Sequence, residues 1–248
     1  MVWNLALLAI GFRVSLVSCQ RKNNSLWLCF AISFDKIIMS RKPAASNLPK
    51  NWPETLPYLS KQTFPTSLDR NVLATLRLRP QDAQDVSSIP RGPCPLVKIT
   101  PITTPSHPAV GQAGLFAAKD LKAGSFILQY LGETHAPLTS SSSIVDPHAT
   151  SDYDLSLDRE HGIGIDADKM GNEARFINDY RGIGPKPNAE FREIWDVKTG
   201  ERGMGVWVLP EGKSGKGKGI RKGEEVLVSY GRGFWGARKG GDENTEYD

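Results

Sequence analysis

From Leu96 onward, glycine and proline cut this chain into short runs rich in β-branched and aromatic residues: LVKI, GLFAA, SFILQYLG, DYDLSL, GIGID, AEFREIWDV, MGVWVL and EEVLVSYG. Runs of this length between turn residues suit strands, whereas a helix that buries one face needs a longer unbroken period. The spacing therefore predicts a domain that leans to all-β. TSSSSIVDPHAT, residues 139–150, is polar and predicts a loop.

Upstream the pattern changes. Pro43, Pro49, Pro53, Pro57, Pro65, Pro80, Pro90, Pro93 and Pro95 exclude long helices, because an internal proline removes a hydrogen bond and clashes with the preceding turn; only Ser67 to Leu78 leaves room for one. Residues 43–93 are expected to be a linker and small packing segment. Residues 1–42 hold two apolar runs, VWNLALLAIGF and LWLCFAISF, parted by Arg13 and by QRKNNS. Each run is about half of the ~20 residues a membrane helix needs, so no membrane association is expected. The stretch MSRKPAASNLPKN predicts a translation start at Met39, with a secretory signal as the other reading of the first forty residues. Residues 94–237 then make the main domain and 238–248 a polar tail.

Hydrophobic residues at 39% and charged residues at 23% of 248 suit one globular domain with a flanking segment. A net charge of +4 is too small to argue for nucleic-acid binding, and none that is sequence-specific is expected. The charge is uneven: Glu133 to Asp196 holds thirteen acidic against six basic residues. That surface suits a basic peptide, or is simply a solvated face. Cys19, Cys29 and Cys94 lie far apart with no C-x-x-C pair, which predicts reduced thiols in an intracellular protein, nuclear or cytoplasmic. His107, His135, His148 and His161 have no metalloprotease spacing, so no metal is expected. PEGKSGKGKGIRKG contains Gly-Lys-Ser but has Trp207 where a phosphate-cradling loop needs glycine, and IRKGEEVLVSY follows it in strand-like alternation; it reads as a basic loop.

Four segments carry the chemistry. The first is GLFAA from Gly114, followed by LKAGSFI from Leu121 and YLGE from Tyr130 to Glu133; the second is SDYDLSL, residues 151–157. The third is IDADKMGNEARFIND, residues 165–179, and the fourth is GIRKGEEVLVSYG, residues 219–231. Each has an ordinary reading by itself. Tyr153 is then a half-buried strand residue, Asn178 and Asp179 a turn held by their own side chains, and Tyr230 a strand-end aromatic.

In this order and spacing, the segments resemble the conserved blocks of the SET domain family of protein lysine methyltransferases, from about Cys94 to Trp235. The resemblance implies a mainly β, SET-type fold of several small sheets with few short helices, whose C-terminal part threads in a knot-like way. It also implies S-adenosyl-L-methionine as methyl donor, with no metal, and a protein or peptide lysine as substrate, on a histone tail or another protein. By the same resemblance, Gly114, Leu115 and Phe116 contact the donor, since a glycine lets the backbone approach a ligand closely. Tyr153 packs on the donor, and Arg175, Phe176, Asn178 and Asp179 form the turn that binds it. There the Asn178 carboxamide meets the amino-acid portion and the main chain at Asp179 the adenine. Tyr230 is the catalytic tyrosine and Tyr130 or Phe234 lines the lysine channel; in place of a zinc-binding flank, Phe234 and Trp235 are expected to close the donor pocket, or are simple core packing.

The chain departs from the family at named positions. Gln112 stands where the first glycine of a G-x-G turn is usual, Asp179 stands where histidine is usual, and the cysteines of the family's zinc-binding flanks are missing. Gln112 and Asp179 motivate a second reading, a SET-fold module that has lost catalysis and binds peptides or protein partners.

Overall fold

Pro65 and Pro80 bracket α1 (Arg70–Leu76), the one α-helix among the described residues. The structure, a computed structural model, describes residues 48–137, 146–210 and 218–231, all within one compact unit, Lys42–Asp248. The apolar N-terminal segment with Met39, Cys19 and Cys29, most of the 139–150 loop, the first part of the basic loop, Phe234, Trp235 and the polar tail lie outside the described residues. Asp69 caps α1 by accepting the Asn71 N–H at 2.7 Å. The helix is shorter than the Ser67 to Leu78 window because Arg77 and Leu78 donate to Ala74 and Thr75, a tighter turn that ends the α-helical ladder.

The strands are β1 (Gln84–Val86), β2 (Val97–Pro101), β3 (Ala113–Ala117), β4 (Phe126–Tyr130), β5 (Glu133–His135), β6 (Asp154–Asp158), β7 (Ile163–Asp166), β8 (Asn178–Asp179), β9 (Ala189–Asp196), β10 (Glu201–Val208) and β11 (Leu227–Val228). Among the described residues they form four small sheets, ordered β1-β9-β10-β4, β2-β3, β5-β7-β6 and β11-β8, as the resemblance implies. The segment EEVLVSYG is a continuous strand only on paper. Glu224 and Val226 bond to Ala117 and Leu115 of β3, and the chain then crosses to pair Leu227 and Val228 in parallel with Asn178 and Asp179 of β8. This change of partner ties the two most informative sequence segments to each other.

The sheets close over one core, in which Leu115, Ile165, Val206, Val226 and Val228 are wholly buried. Trp52 and Leu76 belong to the same cluster, so the proline-rich segment packs against the β domain. It also braces the turn that follows β7. A 3-10 helix, Glu173–Phe176, carries the buried Glu173, whose carboxylate accepts from the Tyr58 hydroxyl at 3.0 Å and the Cys94 N–H at 2.7 Å. Trp52 meets Phe176 edge to face, with ring centroids 5.8 Å apart. No helix among the described residues is long and apolar enough to cross a membrane.

Candidate functional site

Asn172 starts the site. Its side chain bonds to the backbone of Gln129 and Leu131 in the β4 segment, which anchors the turn entering the 3-10 helix. Arg175 then bonds through Nε to the Ala167 carbonyl, and its guanidinium lies 4.1 Å from the centre of the Tyr153 ring. Tyr153 is fixed from the other side as well: its N–H donates to Ser151 Oγ at 3.1 Å and its carbonyl accepts the Tyr130 hydroxyl at 2.6 Å.

Two cavities meet here. The larger, about 500 Å³, is walled by Ala109, Gln112, Ala113, Phe176, Asn178 and Asp179. The smaller, about 80 Å³, is walled by Tyr130, Asp154, Ala174, Ile177 and Phe191. Asp152, Tyr153, Arg175 and Tyr230 line both. Residues 175–179 and Tyr230, far apart in the chain, thus line this pair of cavities.

The Tyr230 hydroxyl donates to the Ile177 carbonyl at 2.6 Å, which sets the ring. Burial first, and then the nearby Asp179 carboxylate, push this phenol well above its ordinary value, so it holds its proton at neutral pH. Burial does the same to Tyr130, whose ring meets Phe191 edge to face. Asp179 is buried and turns away from solvent: its carboxylate accepts from the Arg181 N–H and guanidinium at 2.8 Å and from the Tyr230 N–H at 2.7 Å. Where the family has histidine, this chain has an acceptor for the catalytic candidate's own backbone.

Gly114 sits behind the larger cavity. A Cβ there would lie 2.4 Å from Glu225 Oε1 and 3.1 Å from Asn178 Nδ2, so glycine is what lets those two side chains meet. Leu115 is wholly buried in the core, and Phe116 bridges to Glu225 through the backbone. Of the β3 segment, Gln112 and Ala113 are the residues that wall the cavity. Phe234 and Trp235 lie outside the described residues. Sequence reasoning missed Glu225, His107, Asp152 and Phe191. Glu225 carried a signal in its Gly-Glu-Glu context; His107 carried none.

Where no metal is expected, three ligand-type side chains do come together: His135, Asp146 and His148 offer atoms within 4.8 Å of one another. Each imidazole also bonds a carboxylate at 2.7 Å, His135 to Asp154 and His148 to Asp166. The two rings stack at 3.9 Å and are only 13° from parallel, so their in-plane lone pairs run side by side and do not converge on one point. Burial disfavours charge on His135, but the Asp154 bond prevails and raises its pKa. Burial likewise disfavours charge on Asp166, yet hydrogen bonds from His148 and Ser151 hold its carboxyl below the usual range. The pair pins the 146–153 turn, and with it Tyr153, to the β5-β7-β6 sheet.

Comparison with known proteins gives a consistent picture. The family model described as SET domain matches residues 112–231. The histone-lysine N-methyltransferase ASHH1 of Arabidopsis thaliana is 36% identical over 97 residues, which are 38% of this chain and 18% of that protein. Among solved structures, that of Chaetomium thermophilum polycomb repressive complex 2 is 24% identical over 57% of this chain and 16% of that one, with a TM-score of 0.39. Another, ctPRC2 in an autoinhibited conformation bound to S-adenosylmethionine, is 22% identical over 62% of this chain and 17% of that one, with a TM-score of 0.41. The chain spans less than a fifth of the length of each of these relatives.

Proposed function

Because residues 112–231 are a SET domain, we propose that this chain transfers a methyl group from S-adenosyl-L-methionine to the side-chain nitrogen of a protein lysine. The observation that carries the reading is the pair of cavities, one broad and one narrow, that share Tyr153, Arg175 and Tyr230. The broad one suits a donor of nucleoside size and the narrow one an extended alkyl amine. Asp152 and Asp154 on the narrow side favour a cation, as a lysine is on arrival.

The donor supplies a sulfonium methyl: the new N–C bond forms as the C–S bond breaks, and the sulfur leaves with the electron pair as a neutral thioether. The chain's own residues align the amine, at a near-attack distance of roughly 3 Å. Tyr130 and Phe191 give the narrow cavity apolar walls that exclude water from the lysine stem. The Tyr230 oxygen, its proton committed to Ile177, accepts a hydrogen bond from the amine and orients its lone pair. Tyr230 is not the base, since burial keeps it protonated. A lysine starts near a pKa of about 10.4. At ~4 Å from a cation it loses on the order of 4 kcal/mol at an effective dielectric near 20, or ~3 pKa units, so its proton can pass to water without a strong base.

The substrate we propose is a basic segment of a histone or another protein, which makes a nuclear or cytoplasmic location the natural one. Labelled donor on an array of lysine-bearing peptides tests this directly. Incorporation that depends on Tyr230 supports it. Tight donor binding with no incorporation on any peptide or protein extract would instead favour the peptide-binding module, and absence of donor binding by calorimetry would end the enzymatic reading.

A further inference from the structure

We propose that His107 and Glu225 are positioning residues for the methyl donor: together they turn the Asn178 carboxamide so that its oxygen faces the donor's ammonium group. The inference rests on the reading above that the broad cavity holds S-adenosyl-L-methionine, and it assigns the chain of groups that would recognise the donor's amino-acid end.

The chain begins at a turn whose residues also wall the cavity. His107 Nδ1 accepts the Ala109 N–H at 3.0 Å. A ring nitrogen that accepts carries no proton, so the imidazole proton rests on Nε2, which lies 3.0 Å from Glu225 Oε2. Glu225 Oε1 accepts in turn from Asn178 Nδ2 at 2.8 Å. The side chains of His107 and Glu225 are only 10% and 8% exposed, so water does not replace either bond. A carboxylate has no proton to give. Asn178 therefore cannot reverse its amide without setting its own oxygen against that of Glu225, and its carbonyl oxygen is the group left for the cavity it lines.

This orientation matters because an ammonium donates three N–H groups and accepts none. The reversed amide would set donor against donor. The Glu225 charge behind the amide adds attraction for a cation without touching it. Gly114 completes the arrangement, since any side chain there would displace Glu225 Oε1.

Calorimetry on the full chain with S-adenosylhomocysteine and with its des-amino analogue tests the proposal, because the two ligands differ only at the amine. The wild-type protein is expected to prefer the amine-bearing ligand by roughly tenfold to a hundredfold. In Glu225→Leu the Asn178 amide loses its acceptor and can turn either way, so most of that preference should vanish. Affinity for the des-amino ligand should change less than about twofold. His107→Leu is the second variant, should the first fail to fold, and is expected to lower the preference roughly fivefold. Equal losses for both ligands, or an undiminished preference in the variants, would overturn the inference while leaving the donor reading intact. A wild-type protein that binds neither ligand would overturn both.

Discussion

Asp179 Oδ2 accepts the backbone N–H of Tyr230 at 2.7 Å, across the parallel pairing of β8 with β11. The acidic residue of β8 is therefore bonded to the residue proposed to do the chemistry. Both carboxylate oxygens are used, one by the Arg181 N–H and one by Tyr230 and the Arg181 guanidinium. Asp179→Ala should leave buried N–H groups unsatisfied, costing about 1–3 kcal/mol of stability. It should lower turnover more than donor affinity, because the Tyr230 backbone loses its anchor. Denaturant unfolding and steady-state kinetics check the two effects, and a variant with wild-type turnover would show that the bond has no catalytic consequence.

Tyr230→Phe removes only the hydroxyl that bonds Ile177, on a residue that lines both cavities. Donor affinity should change little, while the methylation rate falls by roughly a hundredfold or more, the scale seen when one oriented polar group is lost from a transition state. Paired calorimetry and single-turnover measurements separate these quantities. Comparable rates in the two proteins would remove Tyr230 from the mechanism.

The mainly β character and most strands are legible in the sequence because period-two runs between glycines and prolines leave few alternatives. The short strands β1, β5 and β8 are not, since two- or three-residue pairings carry no periodicity and form only where another segment arrives. The same limit hides part of the site. Asn178 and Tyr230 stand in recognisable blocks, but the alternation of EEVLVSYG says nothing of its change of partner from β3 to β8, which brings Glu225 against Asn178. His107 lies in a polar turn whose place beside Glu225 is set by β2 and β3. A contact 118 positions apart leaves no local trace.

Gly114→Ala tests close packing between β3, Glu225 and Asn178. The added Cβ would sit 2.4 Å from Glu225 Oε1, so the carboxylate must shift. Donor affinity should fall by about tenfold, the equivalent of one charge-assisted hydrogen bond. The melting temperature should drop by a few degrees. An unchanged dissociation constant would mean that the Glu225 side chain moves without consequence.

The β6-β7 region should show acid sensitivity. Burial disfavours charge on Asp158, but the backbone N–H of His161, the Arg202 guanidinium and the His161 ring outweigh it and lower its pKa to about 2. A carboxyl lowered on folding contributes stability that is present above the unfolded value, near 3.8, and is lost as pH falls toward 2. Melting temperatures of the wild-type protein should therefore fall between about pH 4 and pH 2 by more than those of Asp158→Asn. Parallel curves for the two proteins would show that other carboxyls set the acid limit.

Tyr58→Phe tests whether the proline-rich segment supports the site at a distance. Glu173 is 2% exposed, and its carboxylate is held by the Tyr58 hydroxyl and the Cys94 N–H. Removing the hydroxyl leaves a buried carboxylate with one fewer donor, which should cost about 1–3 kcal/mol. Because Glu173 begins the 3-10 helix that carries Arg175 and Phe176, part of that loss should appear as a looser donor cavity. The expected signature is a lowered melting temperature together with a several-fold weaker donor affinity. Destabilisation with an unchanged affinity would mean that the segment stabilises the fold without shaping the site.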